Sequence, residues 1–492
     1  MRFGIVCVIF FSCFGFCQNI TIPDANFKSF LVNNYDTGMD GEITMAEAAA
    51  VTGVVDCADL NIADLTGIEF FVNISVLDCS DNQLTGLPDI SALTGLVVLV
   101  CDFNDLTSVP DLSALTALEV LSLDGNMLTT GPDLTALTNL VVLELDNNLY
   151  TALPEVSTLI NLEVLECDGN MLTTLPDLSN LVSLLELEAH DNEFTSVPDL
   201  SALVNLEDLE LYGNNLTSLP DLSALTNLIE LEVDDNLLTS IPDLSMLTQL
   251  EYLDLDVNRL TEVPDLTALV NLQILQCSYN YLSTLPDLSA LGNLFCIEAH
   301  HNRLLSLPDL SALTDLEFLW INDNLLTELP SLSALTQMYD LRVYNNRLTQ
   351  LPSLTGLTML DFLRCDGNRL TSLPPLAGLS SLRTFRCDKN QIQSLPSLFG
   401  LININLITAS HNFMTDLPSL PGTLNFLNVS RNLLTEDNCS DLDGFIAVNY
   451  IQGNPAFDIL PLLPDWPSVP DWLIDRVSDV TTEIALYQLN CP

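Results

Sequence analysis

An asparagine recurs along this chain every 22 residues, from Asn82 through Asn104, Asn126 and Asn148 to Asn412, without a slip in register. Around it stands the pattern LxxLxLxxNxL, as at Leu206, Leu209, Leu211, Asn214 and Leu216, followed by Leu219, Pro220, Asp221 and Leu222. So strict a period limits the fold, because a unit of this length cannot bury an apolar face alone and must stack on its neighbours. The LxL segment alternates sides as a short strand does. Stacking then adds one parallel strand per unit, about 4.8 Å from the last, and buries the leucines between coils. The asparagine stands where the chain turns, and its carboxamide carries both a donor and an acceptor for the backbone groups there. Pro followed by Asp fits the entry to a short helical turn, with Asp as the N-cap acceptor. Asp89, Asp111, Asp177, Asp199, Asp221, Asp243, Asp265, Asp287 and Asp309 take this capping role. Serine, an equally good cap, replaces them at Ser331, Ser353, Ser397 and Ser419.

The repeat matches the leucine-rich-repeat signature and resembles the 22-residue class of the internalins and of a protein-phosphatase regulatory subunit. The resemblance covers residues 55–454. It implies an α/β solenoid, a leucine-rich-repeat horseshoe or arc with a parallel β-sheet on the concave face and short turns or 3₁₀ segments on the convex face. Asn432 follows Asn412 by 20 residues rather than 22, and that unit resembles the repeats of secreted bacterial effector proteins. A degenerate unit follows near Asn454.

The two ends depart from the repeat. Residues 1–17 read as a signal peptide: Arg2 precedes an apolar run to Phe16, with Gly15 and Cys17 at the cleavage-determining positions. The mature chain is therefore expected to be secreted or on the cell surface. Residues 18–54 read as a cap of two short helices, over 24–35 and 45–52. Between them Asp36 to Glu47 is similar to an EF-hand calcium loop, with acids at Asp36, Asp40, Glu42 and Glu47 and the turn glycine at Gly41. Gly38 stands where that pattern places an oxygen ligand. The resemblance implies Ca²⁺ as a possible cofactor; the alternative is an EF-like turn used only as a cap for the first coil. Signal peptide, IPDANFK segment, loop and repeats together resemble the surface leucine-rich proteins of Bacteroidetes. Residues 455–492 form a C-terminal cap or tail, and Cys491 within it is expected to pair with Cys439 as a disulfide sealing the last coil.

Charge narrows the partners. Against 66 Asp and Glu the chain has 13 Lys and Arg, a formal net charge of −53. Neutralising nucleic-acid phosphates or docking on anionic lipid is excluded as a main role. The 48% hydrophobic content excludes global disorder. After the leader no apolar run is long enough to enter a membrane. Cys57, Cys79, Cys101, Cys167, Cys277, Cys365 and Cys387 take the inward place three before the repeat asparagine, or its equivalent, and read as small core residues.

Function is expected on the outward strand positions. Four before each asparagine the residues run Glu144, Glu166, Glu188, Glu210, Glu232, Asp254, then Gln276, Glu298, Trp320, Arg342, Arg364 and Arg386. Two before, they run Asp102, Asp124, Asp146, Asp168, His190, Tyr212, Asp234 and Asp256. An acidic strip thus gives way to an arginine ladder, and residues 29–258 hold no Lys or Arg. Consecutive like charges about 5 Å apart repel by roughly 1 kcal/mol even in water, which suits a basic partner, cations or a salty medium better than solubility alone. At the junction Phe318, Trp320, Arg342 and Tyr344 read as an exposed aromatic and arginine cluster, the residue types of binding hot spots.

Enzyme motifs are absent: no phosphate-binding glycine loop, nucleophile elbow or HExxH occurs. Carboxylate pairs such as Glu166 and Asp168 recur coil after coil, whereas catalysis needs one special environment. The expected function is an exported non-enzymatic module binding a protein through its charged concave face, with antiparallel self-association also possible. A glycan-binding adhesin and a divalent-cation-dependent envelope protein are the alternatives.

Overall fold

The computed structural model describes residues 18–434 and the strand Val448–Tyr450. The leader over residues 1–17, the Cys439–Cys491 pair, the unit near Asn454 and the tail over residues 455–492 lie outside the described residues.

The N-terminal segment folds as its capping residues direct. Helix α1 (Ala25–Tyr35) starts at Asp24, whose carboxylate accepts from the Asn26 and Phe27 amides, and buries Phe27 and Leu31. Helix α2 (Met45–Ala50) starts on a capping box, with the Thr44 hydroxyl accepting from the Glu47 amide and the Glu47 carboxylate from the Thr44 amide. The second Asp24 oxygen accepts from the Ala63 amide at 2.9 Å, and Asn73 donates to the Ala49 carbonyl at 2.7 Å. These bonds fasten both helices to the first coils.

The chain forms two compact units that divide after Leu225. The first holds strands from Gly53–Asp56 to Asp208–Glu210, and the second strands from Glu230–Glu232 to Val448–Tyr450. Within each unit every strand pairs with the next in parallel, one per coil, as the repeat predicts. Most strands are three residues long, because the chain then turns to carry its leucines inward. In a representative coil Leu137, Leu140, Leu143 and Leu145 are all 0% exposed. Each such side chain contributes about 1.5–3 kcal/mol relative to exposure.

The asparagine seam is the second device. The Asn126 amide group donates to the carbonyls of Leu123 and Asp124 in its own coil and of Cys101 in the preceding one, at 2.9–3.1 Å. Its oxygen accepts from the Leu106 amide at 3.0 Å. The same set recurs at Asn104, Asn148 and Asn170 and, in the second unit, at Asn302 and Asn368. The residue before the asparagine turns through the left-handed region, with φ +49° at Asp191 and +58° at Gly169. That position suits Gly, Asn and Asp, and the β-branched Val257 at φ +49° is strained there. At Gly169 an added Cβ would also stand 2.6 Å from the Asn147 side-chain oxygen.

Opposite the strands lie successive tight turns rather than helices. The Asp111 carboxylate accepts from the Ser113 amide at 2.9 Å, and the Leu115 and Leu118 amides then close turns onto the Leu112 and Leu115 carbonyls. The aspartates therefore cap turns by bonding two residues ahead. Ser331, Ser353 and Ser397 make the same bond at 3.3–3.4 Å. A 3₁₀ segment occurs at Ile68–Phe70. The eight described cysteines are buried, with the Cys79 and Cys101 sulfurs 3.4 Å apart. One of the eight, Cys296, stands on an outward strand position that the inward repeat place does not predict.

Candidate functional site

The outward strand residues of the first unit stack coil upon coil. Glu144 pairs with Glu166, Glu166 with Glu188 and Glu188 with Glu210 in strand register. The neighbouring aspartates have a structural task that the sequence reading did not assign. Asp102 accepts from the Asp124 amide, Asp124 from the Asp146 amide and Asp146 from the Asp168 amide, at 2.9–3.0 Å. Each carboxylate thus closes a backbone donor of the next coil just beyond its strand.

Crowding and burial change the charge of this face. Burial, with the Asp102 charge beside it, pushes the Asp124 carboxyl up to about 7. Burial and a hydrogen bond with Asp168 push Asp146 up to about 11. Burial and a hydrogen bond with Glu186 push Glu188 up to about 9. The repulsion inferred from the column is relieved by shared protons and backbone donors, so the strip holds less charge at neutral pH than its residue count suggests. Three sets of carboxylates here bring possible ligand atoms within 4.8 Å of one another, as do Asp168, Glu188 and His190.

In the second unit Glu232, Asp254, Gln276, Glu298, Trp320, Arg342, Arg364 and Arg386 occupy one register column. Two of the residues predicted at the junction behave differently from expectation. Phe318 is buried at 6% exposure, not exposed, because Ile274 and Cys296 occupy the same place on the two preceding strands and pack with it. Trp320 lies against this cluster, its ring 6.3 Å from that of Phe318 and edge-on to it. Arg342 is held within the protein: it donates to the fully buried Asp340 carboxylate at 2.8–2.9 Å, and its guanidinium lies 4.2 Å from the Trp320 ring centroid. Burial pushes Asp340 up, and Arg342 opposes that shift. Arg364 lies 4.1 Å over the Tyr344 ring and donates to Asp366 at 3.4 Å. Arg342 and Arg364 are thus held by cation–aromatic and ion-pair contacts, and the Trp320 ring beside Arg342 rests on a buried apolar base. A signal for that base was present in sequence, two residues before the column read there, at Tyr252, Ile274, Cys296 and Phe318.

The N-terminal loop uses its acids on its own backbone. The Asp36 oxygens accept from the Met39 and Gly41 amides, and the Asp40 carboxylate from the Glu42 amide. Glu42 pairs with Lys28 at 2.7 Å. Glu47 accepts from the Thr37 hydroxyl, the Gly38 amide and the Thr44 amide and hydroxyl. The Thr44 backbone bond leads the causes that lower its carboxyl to about 2. A Cβ added at Gly38 would face the Glu47 and Asp36 oxygens at 3.3 and 3.6 Å.

Among the described residues no helix is long and apolar enough to cross a membrane. A family model described as leucine-rich repeats (2 copies) matches residues 248–290. No curated protein sequence matches the chain. Among solved structures, the functional domain of InlJ from Listeria monocytogenes, described as including a cysteine ladder, is 28% identical with a TM-score of 0.65, over 83% of this chain and 84% of that one. YopM from Yersinia enterocolitica WA-314 is 31% identical with a TM-score of 0.62, over 74% of this chain and 80% of that one. The plant peptide hormone receptor RGFR1, in complex with RGF2, is 26% identical with a TM-score of 0.66, over 82% of this chain and 69% of that one. With its asparagine seam, its one strand per coil and these likenesses, the chain belongs to the leucine-rich-repeat family, in the 22-residue spacing of the internalins.

Proposed function

We propose that the protein is exported and serves as a non-enzymatic module that binds a protein partner through the open strand face of its second unit. The reading rests on one arrangement above all: Glu298, Trp320 and Arg342 stand side by side on consecutive strands, with Trp320 backed by a buried apolar cluster. Along these strands the order is acid, then aromatic, then base, with the acid, Glu298, largely buried at 8% exposure. A partner of reversed charge order is steered into one register, since the other register sets like charges together. The family context supports protein binding, since the RGFR1 structure is a complex with RGF2 and another similar structure, YopM from Yersinia pestis, is described as an effector. Export is supported by the apolar leader ending at Cys17.

The test is affinity capture of surface proteins from neighbouring cells, with parent and Trp320→Ala chains compared by quantitative mass spectrometry. A protein captured by the parent and lost with Trp320→Ala supports the reading. Capture of glycans alone favours the adhesin reading. Capture unaffected by Trp320→Ala moves the site off this face.

For the N-terminal loop, the saturation of Glu47 by backbone and hydroxyl donors supports a role as a folded cap that takes Ca²⁺ weakly. A bound ion would have to share oxygens that already accept hydrogen bonds, and Gly38 offers it no side-chain oxygen.

A further inference from the structure

The first unit contains one place where the acidic face ceases to be purely acidic. The His190 imidazole sits among carboxylates from three successive coils. Its Nε2 atom lies 3.6 Å from Asp168, 3.9 Å from Glu188 and 3.9 Å from Glu210. The ring stacks on Tyr212, with centroids 4.1 Å apart and planes within 10°. On its other side Nδ1 meets the Asp191 carboxylate at 3.2 Å.

Two features separate this arrangement from an ordinary histidine ion pair. First, the Nε2 distances are too long for hydrogen bonds, which span about 2.7–3.2 Å, and Nε2 is nearly equidistant from the three oxygens. Ligands about 2.0–2.2 Å from a tetrahedral ion lie roughly 3.3–3.6 Å from one another, so the two Nε2 distances need a contraction of at most a few tenths of an ångström, and all three ligand atoms of Asp168, Glu188 and His190 already lie within 4.8 Å of one another. Second, Asp191 occupies the outer-sphere position that fixes a metal-binding histidine. A carboxylate on Nδ1 holds the proton there and turns the Nε2 lone pair toward the ion.

We propose that His190, Asp168 and Glu188 bind a divalent transition-metal ion of the Zn²⁺ type, with Glu210 or water completing the shell and Asp191 positioning the imidazole. A nitrogen ligand selects for such an ion over Ca²⁺ and Mg²⁺, which prefer all-oxygen shells. Asp168 comes from one coil and Glu188 and His190 from the next, so the bound ion clips two consecutive coils together, and a third where Glu210 completes the shell. It is independent of the partner surface proposed for the second unit.

The experiment is calorimetric titration of the full chain, free of any histidine tag, with Zn²⁺, alongside Co²⁺ absorption in the visible range. The site predicts one saturable Zn²⁺ step at micromolar Kd or tighter that excess Ca²⁺ does not displace. His190→Ala should weaken that step at least tenfold and remove the Co²⁺ bands. Asp191→Asn, which leaves every ligand in place, should weaken it about tenfold, within the range seen for outer-sphere partners. His300→Ala should leave it unchanged, and the apo forms of all three variants should melt as the parent does. The proposal is overturned if no saturable Zn²⁺ step appears, if His190→Ala binds Zn²⁺ as the parent does, or if Ca²⁺ competes on equal terms.

Discussion

The Asn126 side chain donates to the Cys101 carbonyl of the preceding coil at 3.1 Å, and through this contact each repeat is fastened to the one before it. The same carboxamide accepts from the Leu106 amide and lies in a buried setting, so none of its bonds is readily replaced by water. Replacing Asn126 by Leu fills the space and leaves buried carbonyls and one amide without partners. Each orphaned group costs about 1–3 kcal/mol. With three carbonyls and one amide orphaned, Asn126→Leu should therefore destabilise the first unit by at least about 4 kcal/mol, measured by denaturant unfolding. Asn126→Asp should also be damaging, because it keeps the acceptor and loses the donors.

The acidic face predicts an unusual pH dependence. Burial and the Asp102 charge raise Asp124 to about 7 in the folded state, above the ordinary aspartate range of the unfolded chain near 4. The folded state therefore holds the proton more tightly. The stabilisation is fully present below about pH 4 and is lost as pH rises through about 7. The capping aspartates run the other way: hydrogen bonds to Ser91 and Ser113 lower Asp89 and Asp111, whose contribution is lost as pH falls through their folded values. Asp124→Asn keeps an acceptor for the Asp146 amide and removes the charge. It should raise stability at pH 8 by about 1–2 kcal/mol once solvent screening is allowed for, and change little at pH 5. Thermal melts at the two pH values decide it, and an equal effect at both would count against the shifted carboxyl.

At the N-terminal loop, Glu47→Gln removes charged acceptors from two hydroxyls and two amides and breaks the reciprocal cap of helix α2. It should lower stability by about 1–2 kcal/mol even with Ca²⁺ chelated. Gly38→Asp places a carboxylate beside Asp36 and Glu47, and should tighten Ca²⁺ binding while lowering stability without the ion. Isothermal titration with Ca²⁺ checks both. Tight Ca²⁺ binding by the parent, abolished in Glu47→Gln, would replace the weak-cap reading by a true calcium site.

Export makes a separate prediction. The secreted protein should begin at Gln18, as read by N-terminal sequencing of material from the medium or cell surface. A chain retaining Met1 and found only inside cells would contradict it.

The solenoid was legible because its causes are local and repeated. Leu206, Leu209, Leu211 and Asn214 sit at fixed offsets that stacked coils satisfy, whereas the caps at Asp24 and Thr44 emerged only with the structure. The candidate face was legible as an order of residues, since strand register carries Glu298, Trp320 and Arg342 into adjacency. What the spacing did not reveal depends on side chains two residues away on neighbouring strands. Phe318 looks exposed by alternation, yet Ile274 and Cys296 extend the core onto the outer face and cover it. Arg342 looks like a free anchor, yet Asp340 on its own strand binds it. The aspartates at 102, 124 and 146 look like a partner's target, yet each first closes a backbone amide of the next coil.

These pairings also decide which variants can test the partner surface. Removing Arg342 leaves the buried Asp340 carboxylate uncompensated, a loss of about 3–5 kcal/mol, so Arg342→Ala confounds folding with binding. Trp320→Ala and Arg364→Glu leave the Arg342–Asp340 ion pair in place, but Trp320 and Arg364 also support that carboxylate and Arg364 pairs with Asp366, so the melting temperature of each variant is measured beside its binding. The most direct measurement is therefore the affinity and association rate of the captured protein partner for three chains: parent, Trp320→Ala and Arg364→Glu. The account predicts a loss of at least about 2 kcal/mol for Trp320→Ala, and for Arg364→Glu a slower association with altered salt dependence. Equal affinity and equal rates across all three chains would contradict it.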